Sequence, residues 1–364
     1  MPMVDLVAEA ERQMTICNSC RYCEGYCAVF PAMEIRRDFE EGEMIYLANL
    51  CFECRDCFYA CQFAPPHEFG VNVPQIFAEI RAETYQEYSW PGILGKLYRR
   101  NGLAVGLITV ASTALILLLV IALRRDALFS TQAGEGAFYR VIPYAAMVIP
   151  ALLIALYCLA VFARGAYRFW RDTDTDLTGV IDFRAFAVAT RDAFGLRYLK
   201  GGGVGCNYPD ERFSQVRRWF HHLVFYGFLF DLASTTVAAI YDHFLGRHAP
   251  YPPLSLPVAL GTIGGVALVI GTVGLLSLKW RSDRQPAAPR MLKMDVAFLL
   301  LLGLTSLTGL LLLVLRATPA MGALLAVHLG FVAGLFLTMP YGKFAHIVYR
   351  YAALIRNALE QARV

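Results

Sequence analysis

The chain has 364 residues and is 57% hydrophobic, well above the roughly 45–50% usual in soluble domains, with a mean hydropathy of +0.48. That excess excludes a wholly soluble protein. A formal net charge of +4 is too small for a nucleic-acid face, because the basic residues gather instead in loops beside apolar stretches.

The opening segment, MPMVDLVAEAERQM, is acidic and lacks the basic and apolar regions of a secretory signal. It is expected to stay in the reducing compartment where it is made, so the cysteines that follow read as ligands rather than disulfides. Eight of the ten cysteines fall in two runs, CNSCRYCEGYC at 17–27 and CFECRDCFYAC at 51–61, with the same C-x2-C-x2-C-x3-C spacing. Three thiolates at that spacing hold a cubane on a tight turn, and the fourth reaches the other cluster of a pair. The runs therefore predict one [4Fe-4S] cluster on Cys17, Cys20, Cys23 and Cys61 and a second on Cys51, Cys54, Cys57 and Cys27. Ala28 and Gln62 stand where a proline commonly follows the fourth cysteine. Zinc is the rival, but its sites pair one CxxC with a distant one and would leave the extra cysteines without a role.

Between the runs MEIRRDFEEGEMIYLANL has a helical period, as does VPQIFAEIRAETYQEY after them, and no alternating strand pattern occurs. The head, residues 1–90, is expected to be a helical ferredoxin-like domain with SWPG at 89–92 as its hinge to the membrane.

Six segments then have the roughly 20 apolar residues needed to cross a bilayer: 102–123, 141–163, 219–241, 256–278, 295–315 and 320–341. Basic residues crowd one face of the array: Lys96, Arg99, Arg100, Arg164, Arg168, Arg171, Arg212, Arg217, Arg218, Lys279, Arg281, Arg284, Arg290, Lys293, Lys343, Arg350 and Arg356. The other face has only Arg124, Arg125, Arg140, Arg247 and Arg316. The bias predicts a multi-pass membrane protein with both termini and the cysteine region cytoplasmic. The expected units are the head, a pair of spans at 91–171, a polar insert at 172–217 and a four-span block with a cytoplasmic tail at 218–364. The fold class is mainly α: a two-cluster head plus a six-helix transmembrane haem-binding bundle.

Cys158 reads as a buried thiol in a span and Cys206 as a surface or packing residue. The glycines at 201–205 follow no strand, so they do not meet the requirement for a dinucleotide loop. Of the seven histidines, His67 and His248 read as surface residues. His221, His222, His243, His328 and His346 lie in or near spans, where ionisable groups are functional candidates by default. His328 and His346 are 18 apart, which on a continuous helix is one face and about 27 Å. The third and last spans run antiparallel. His221 or His222 would therefore meet His346 on the cytoplasmic side and His243 would meet His328 near the other, giving one or two bis-histidine b haems.

The stretch LRYLKGGGVGCNYPDERFSQVRRWFHHLVFYGFLFD at 196–231, behind the doubled cysteine run and ahead of the histidine-bearing last span, resembles the tricarballylate-utilisation or citrate-utilisation protein B family over nearly the whole chain. The resemblance implies two [4Fe-4S] clusters on the eight cysteines and b haem on the five histidines. It further implies a partner FAD-dependent dehydrogenase at the cytoplasmic face, oxidising tricarballylate, with membrane quinone as acceptor. No flavin or nicotinamide site is legible, so this chain would be an electron-transfer component rather than the enzyme that meets the substrate. A related cobalamin-pathway protein fuses such a region to a flavoprotein, so another flavoenzyme partner is one alternative. A redox-sensing membrane protein and an anchor with structural clusters are the others.

Overall fold

The computed structural model describes residues 3–173 and 182–363; the part of the predicted insert at 174–181 lies outside them. The head is helical throughout, with α1 (Met3–Cys20), α2 (Val29–Glu34), α3 (Glu41–Leu50), α4 (Asp56–Tyr59) and α5 (Val73–Glu87). Asn72 caps α5, its side chain accepting from the Gln75 amide at 3.3 Å, and Pro74 sits in the first turn, where no amide is needed.

A short α6 (Gly92–Leu97) leads into α7 (Asn101–Arg124), the first long apolar helix. The far-side α8 (Ala137–Val141) precedes α9 (Tyr144–Thr173). The insert contributes α10 (Phe183–Phe194) and the antiparallel pair β1 (Cys206–Asn207) and β2 (Phe213–Ser214). The four-helix block follows as α11 (Val216–Leu245), α12 (Leu256–Arg281), α13 (Pro289–Leu315) and α14 (Met321–Thr338), and α15 (His346–Gln361) returns to the head. Six helical segments are long and apolar enough to cross a membrane, as the sequence predicts. Glycines let them close on one another. A side chain at Gly227 of α11 would press on the Gly264 carbonyl of α12, and one at Gly334 of α14 would press on Thr109 of α7.

Two sequence expectations change. The last span is not one helix continued to His346, because α14 stops at Thr338 and residues 339–345 form two short 3-10 turns containing Pro340 and an extended Gly342. The phase argument that put His328 and His346 on one face of a continuous helix therefore does not apply. The 89–92 junction is also pinned: the Trp90 carbonyl accepts from Tyr341 Oη at 2.8 Å and Tyr157 Oη at 3.2 Å.

The head does not own its core. Residues of α1, α3 and α5 share one buried cluster with Leu199, Cys206 and Tyr208 of the insert, Leu275 and Leu278 of α12, and Tyr349, Ala353 and Leu354 of α15. Buried ion pairs tie the same parts together: Arg356 of α15 meets Glu43 of α3 at 2.6 Å, and Arg36 meets Glu360 at 2.6 Å.

Candidate redox site

Both cysteine runs share a backbone device. The residue after the second cysteine, Arg21 in one and Arg55 in the other, takes a left-handed conformation with φ of 55° and 72°. Such residues cost of order 1–3 kcal/mol and persist where the surroundings hold them.

Cys17, Cys20, Cys23, Cys57 and Cys61 line a cavity of about 300 Å³ with Ile16, Phe30 and Phe63. Both runs thus contribute to one cavity: the four cysteines expected together by spacing, and Cys57, which spacing assigns to the other set. Burial, reinforced by neighbouring cysteines, pushes the Cys17 and Cys23 thiols up to about 12. Cys17 and Cys23 are thus protonated at neutral pH, and a metal would have to displace their protons to bind.

The second group gathers Cys27 from the first run beside Cys51, Cys54 and Cys57. Cys51 and Cys54 are buried, whereas Cys20 of the first group is exposed. Burial, then the nearby thiols, pushes Cys57 and Cys27 upward as well. Among the described residues no three His, Cys, Asp or Glu side chains converge as a single metal ion requires.

Two arginines join this second group to the membrane helices. Arg217 donates to the Glu53 carbonyl at 2.6 Å and the Phe52 carbonyl at 3.2 Å, and Arg350 donates to the Cys51 carbonyl at 2.8 Å. Arg217 lies one helical turn before His221 on α11, and Arg350 one turn after His346 on α15. The two imidazoles face each other there, with ring centres 6.3 Å apart and planes at 85°. Two metal–nitrogen bonds of about 2 Å plus the two half-rings span roughly that distance, so the pair could hold one metal centre such as a haem iron between them. His346 Nδ1 bonds the Lys343 carbonyl at 2.6 Å, which fixes the ring and leaves Nε2 free, as ligating histidines require. Lys343 is held in turn by Asp295 of α13 at 2.7 Å. His221 Nδ1 is buried with no hydrogen-bond partner among the described residues.

The remaining histidines are placed differently. His222 packs against Trp219 and Tyr226 instead of His346. His243 bonds Tyr144 at the far end of α11 and is not among the residues around His328. His328 has its Nδ1 on Thr308 Oγ1 at 3.1 Å and faces a largely apolar cavity of about 430 Å³ between α11, α12, α13 and α14. Asp231 of α11 lines the same cavity, and among the described residues nothing partners its carboxylate. It lies ten residues beyond His221, about 15 Å along the helix. Phe228 lines the cavity and packs on Phe344, ring centres 5.3 Å apart, two residues before His346.

Comparison with known proteins bears on both halves of this arrangement. The citrate utilization protein B Fer4-like domain matches residues 10–87, and the citrate utilization protein B model matches residues 96–364. A citrate utilization protein B of Escherichia coli is 47% identical over 357 residues, covering 98% of this chain and 93% of its own length. The chain belongs to the citrate utilization protein B family. No solved structure matches. The Fer4-like match of this family spans α1 to α5 with both cysteine runs, and the second match takes in the membrane helices, the insert and α15. Sequence reading gave Arg217 and Arg350 only a place in the basic bias and Cys206 only a surface or packing place, and it left Asp231 without a role. A helical-turn spacing from a candidate histidine was the available signal for the two arginines.

Proposed function

We propose that this chain is the membrane electron carrier for a separate FAD-dependent dehydrogenase of the tricarballylate-oxidising kind. It takes electrons from the reduced flavin at the head and delivers them to membrane quinone by way of two [4Fe-4S] clusters and a b haem. In this reading the head, the insert and α15 lie on the cytoplasmic side of a bacterial inner membrane, the orientation favoured by the Lys/Arg bias. When bound, the clusters and haem supply one-electron carriers between a two-electron donor and a two-electron acceptor.

The residues divide the work. Cys17, Cys20, Cys23 and Cys61 present the solvent-facing group to the partner, while Cys27, Cys51, Cys54 and Cys57 hold the inner one. Arg217 and Arg350 fix the inner group to the helices that carry His221 and His346, which would hold the haem. The cavity at His328 has one histidine rather than two, so it suits a flat, neutral, lipid-soluble quinone head better than a second bis-histidine haem. Reducing a quinone consumes two protons with its two electrons, and Asp231 and His328 are protonatable groups facing that space.

The observation that carries the reading is the link from the second cysteine run through Arg217 and Arg350 to the facing imidazoles. Its test is anaerobic mixing of the detergent-purified chain with a dithionite-free reduced flavoprotein dehydrogenase. Cluster absorbance should bleach first, a reduced b-haem band should follow, and added ubiquinone or menaquinone should reoxidise both. A chain with iron and sulfide but no haem band would leave the sensor or anchor reading in its place.

A further inference from the structure

The cavity at His328 has two unlike ends. Its α12 wall comes from Pro257, Gly261 and Gly265, and its α13 wall runs from Leu302 to Arg316. Because α12 starts and α13 ends on the side away from the head, both walls belong to the far half of these helices. At the outer end Pro250, Tyr251 and Arg316 line this cavity and also a second one of about 750 Å³, which lies among Gln132, Glu135, Arg247 and His248. The apolar space thus meets a polar vestibule on the far side. Arg316 donates to the Tyr251 carbonyl at 2.6 Å, and the Tyr251 hydroxyl donates to the Ala238 carbonyl at 2.9 Å, which holds this rim to α11.

The inner end is lined by Phe228, Leu335 and Phe336. Behind Phe228 stands Phe344, whose ring also packs on Phe298 at 6.0 Å and Phe162 at 6.1 Å. Electrons tunnel through packed apolar side chains, whereas a proton needs groups within hydrogen-bond reach. The charged or titratable side chains that line the cavity are Asp231 of α11, His328 of α14, and Tyr251 and Arg316 at the rim; α12 contributes none. Thr235, one turn beyond Asp231, continues the α11 wall toward that rim.

We infer that quinone reduction in this cavity draws its two protons from the far side of the membrane, past Tyr251 and Arg316 to Asp231, while its electrons arrive from the side of the head. The inference rests on the reading that the cavity receives quinone. The donor flavin releases two electrons and two protons on the head's side. The quinone gains those electrons and forms two O–H bonds with protons from the opposite side, so each quinol formed separates two charges across the membrane. A membrane potential that is negative on the head's side therefore drives the reaction forward, because it favours electrons leaving that side.

The test uses the full-length, cofactor-loaded protein in sealed phosphatidylcholine–phosphatidylglycerol vesicles that contain ubiquinone-10 and a lumenal pH dye. Dithionite added outside without oxygen is impermeant and reduces only heads that face out; protein-free vesicles correct for direct quinone reduction. Quinol formation should alkalinise the lumen by two protons per quinol, and valinomycin with potassium should speed it several-fold by collapsing the lumen-negative potential. Quinol formation with a steady lumenal pH and no response to valinomycin would overturn the inference. Asp231→Asn should slow quinol formation by about a hundredfold, the lower end for a general acid, with haem reduction unchanged; a wild-type rate would remove Asp231 from the route. Should that variant fail to fold, the wild-type vesicles still decide the side. No haem band, or a reduced haem without quinol, would fail the carrier reading itself, which is distinct because both proton outcomes require quinol.

Discussion

The two cysteine groups have the same spacing and the same left-handed turn, yet their surroundings differ. The first faces solvent, with Cys20 exposed beside a cavity and only the head around it. The second is enclosed by four separate parts of the chain: α5 through Arg81, the insert through its loop, α11 through Arg217 and α15 through Arg350. The ligand pattern is local, whereas the environment that tunes and connects a cluster is not. An accessible group suits exchange with a partner, and an enclosed one suits transfer onward within the chain.

The sharpest way to break this contrast is Glu53→Gln. Glu53 binds Arg81 at 3.0 Å, and the Arg81 side chain is 1% exposed. Burial pushes the Glu53 carboxyl up, but Arg81, Lys279, Lys343 and Arg55 outweigh it and hold the group low. Removing one partner of such a buried pair costs about 3–5 kcal/mol. A thermal melt followed by cluster absorbance should drop markedly, with the second cluster lost before the first. The depressed carboxyl gives the wild type the matching pH response: its stabilisation is present above the unfolded-chain value and is lost as pH falls through the folded one.

Arg350→Ala should have a smaller effect on folding, about 1.5–3 kcal/mol for a charged donor, but a specific one on transfer. Stopped-flow reduction of the first cluster should keep its rate while haem reduction slows. Equal slowing of both would mean that Arg350 does not belong to the connection.

Alkaline pH separates empty from loaded protein. Buried Cys17 and Cys23 are raised to about 12, against about 8.5 for a free thiol. Above that free value the unfolded chain releases thiol protons that the empty fold retains, so melting of cluster-free protein should fall between about pH 8 and 10. Loaded protein, whose thiols have already lost their protons to iron binding, should show little change over that window.

Glu9→Gln is the smallest perturbation. The Glu9–Arg12 pair, 2.7 Å long on the solvent-facing side of α1, contributes about 0–1 kcal/mol. Melting and cluster content should stay within error of wild type, which calibrates the Glu53 result.

The Fer4-like head and the spans were legible because each is written in neighbouring residues: cysteine spacing and apolar length. The pairing of His221 with His346 was half legible, since sequence left His222 equally eligible and only the docked α15 separates them. Arg217 and Arg350 stayed hidden because their partners lie 164 to 299 positions away. The break after Thr338 was signalled by Pro340 and Gly342, which the helical-phase argument passed over.

The core shared between α3 and α15 also bears on biogenesis. Synthesis delivers the cysteine runs first, but the residues that enclose the second run arrive only after the membrane helices have been made. Throughout that interval the inner thiols remain open to whatever machinery delivers iron and sulfide, and docking of α15 then closes the door. Loading after closure would require the insert and α15 to lift away together, so the order of assembly is written into the path of the chain.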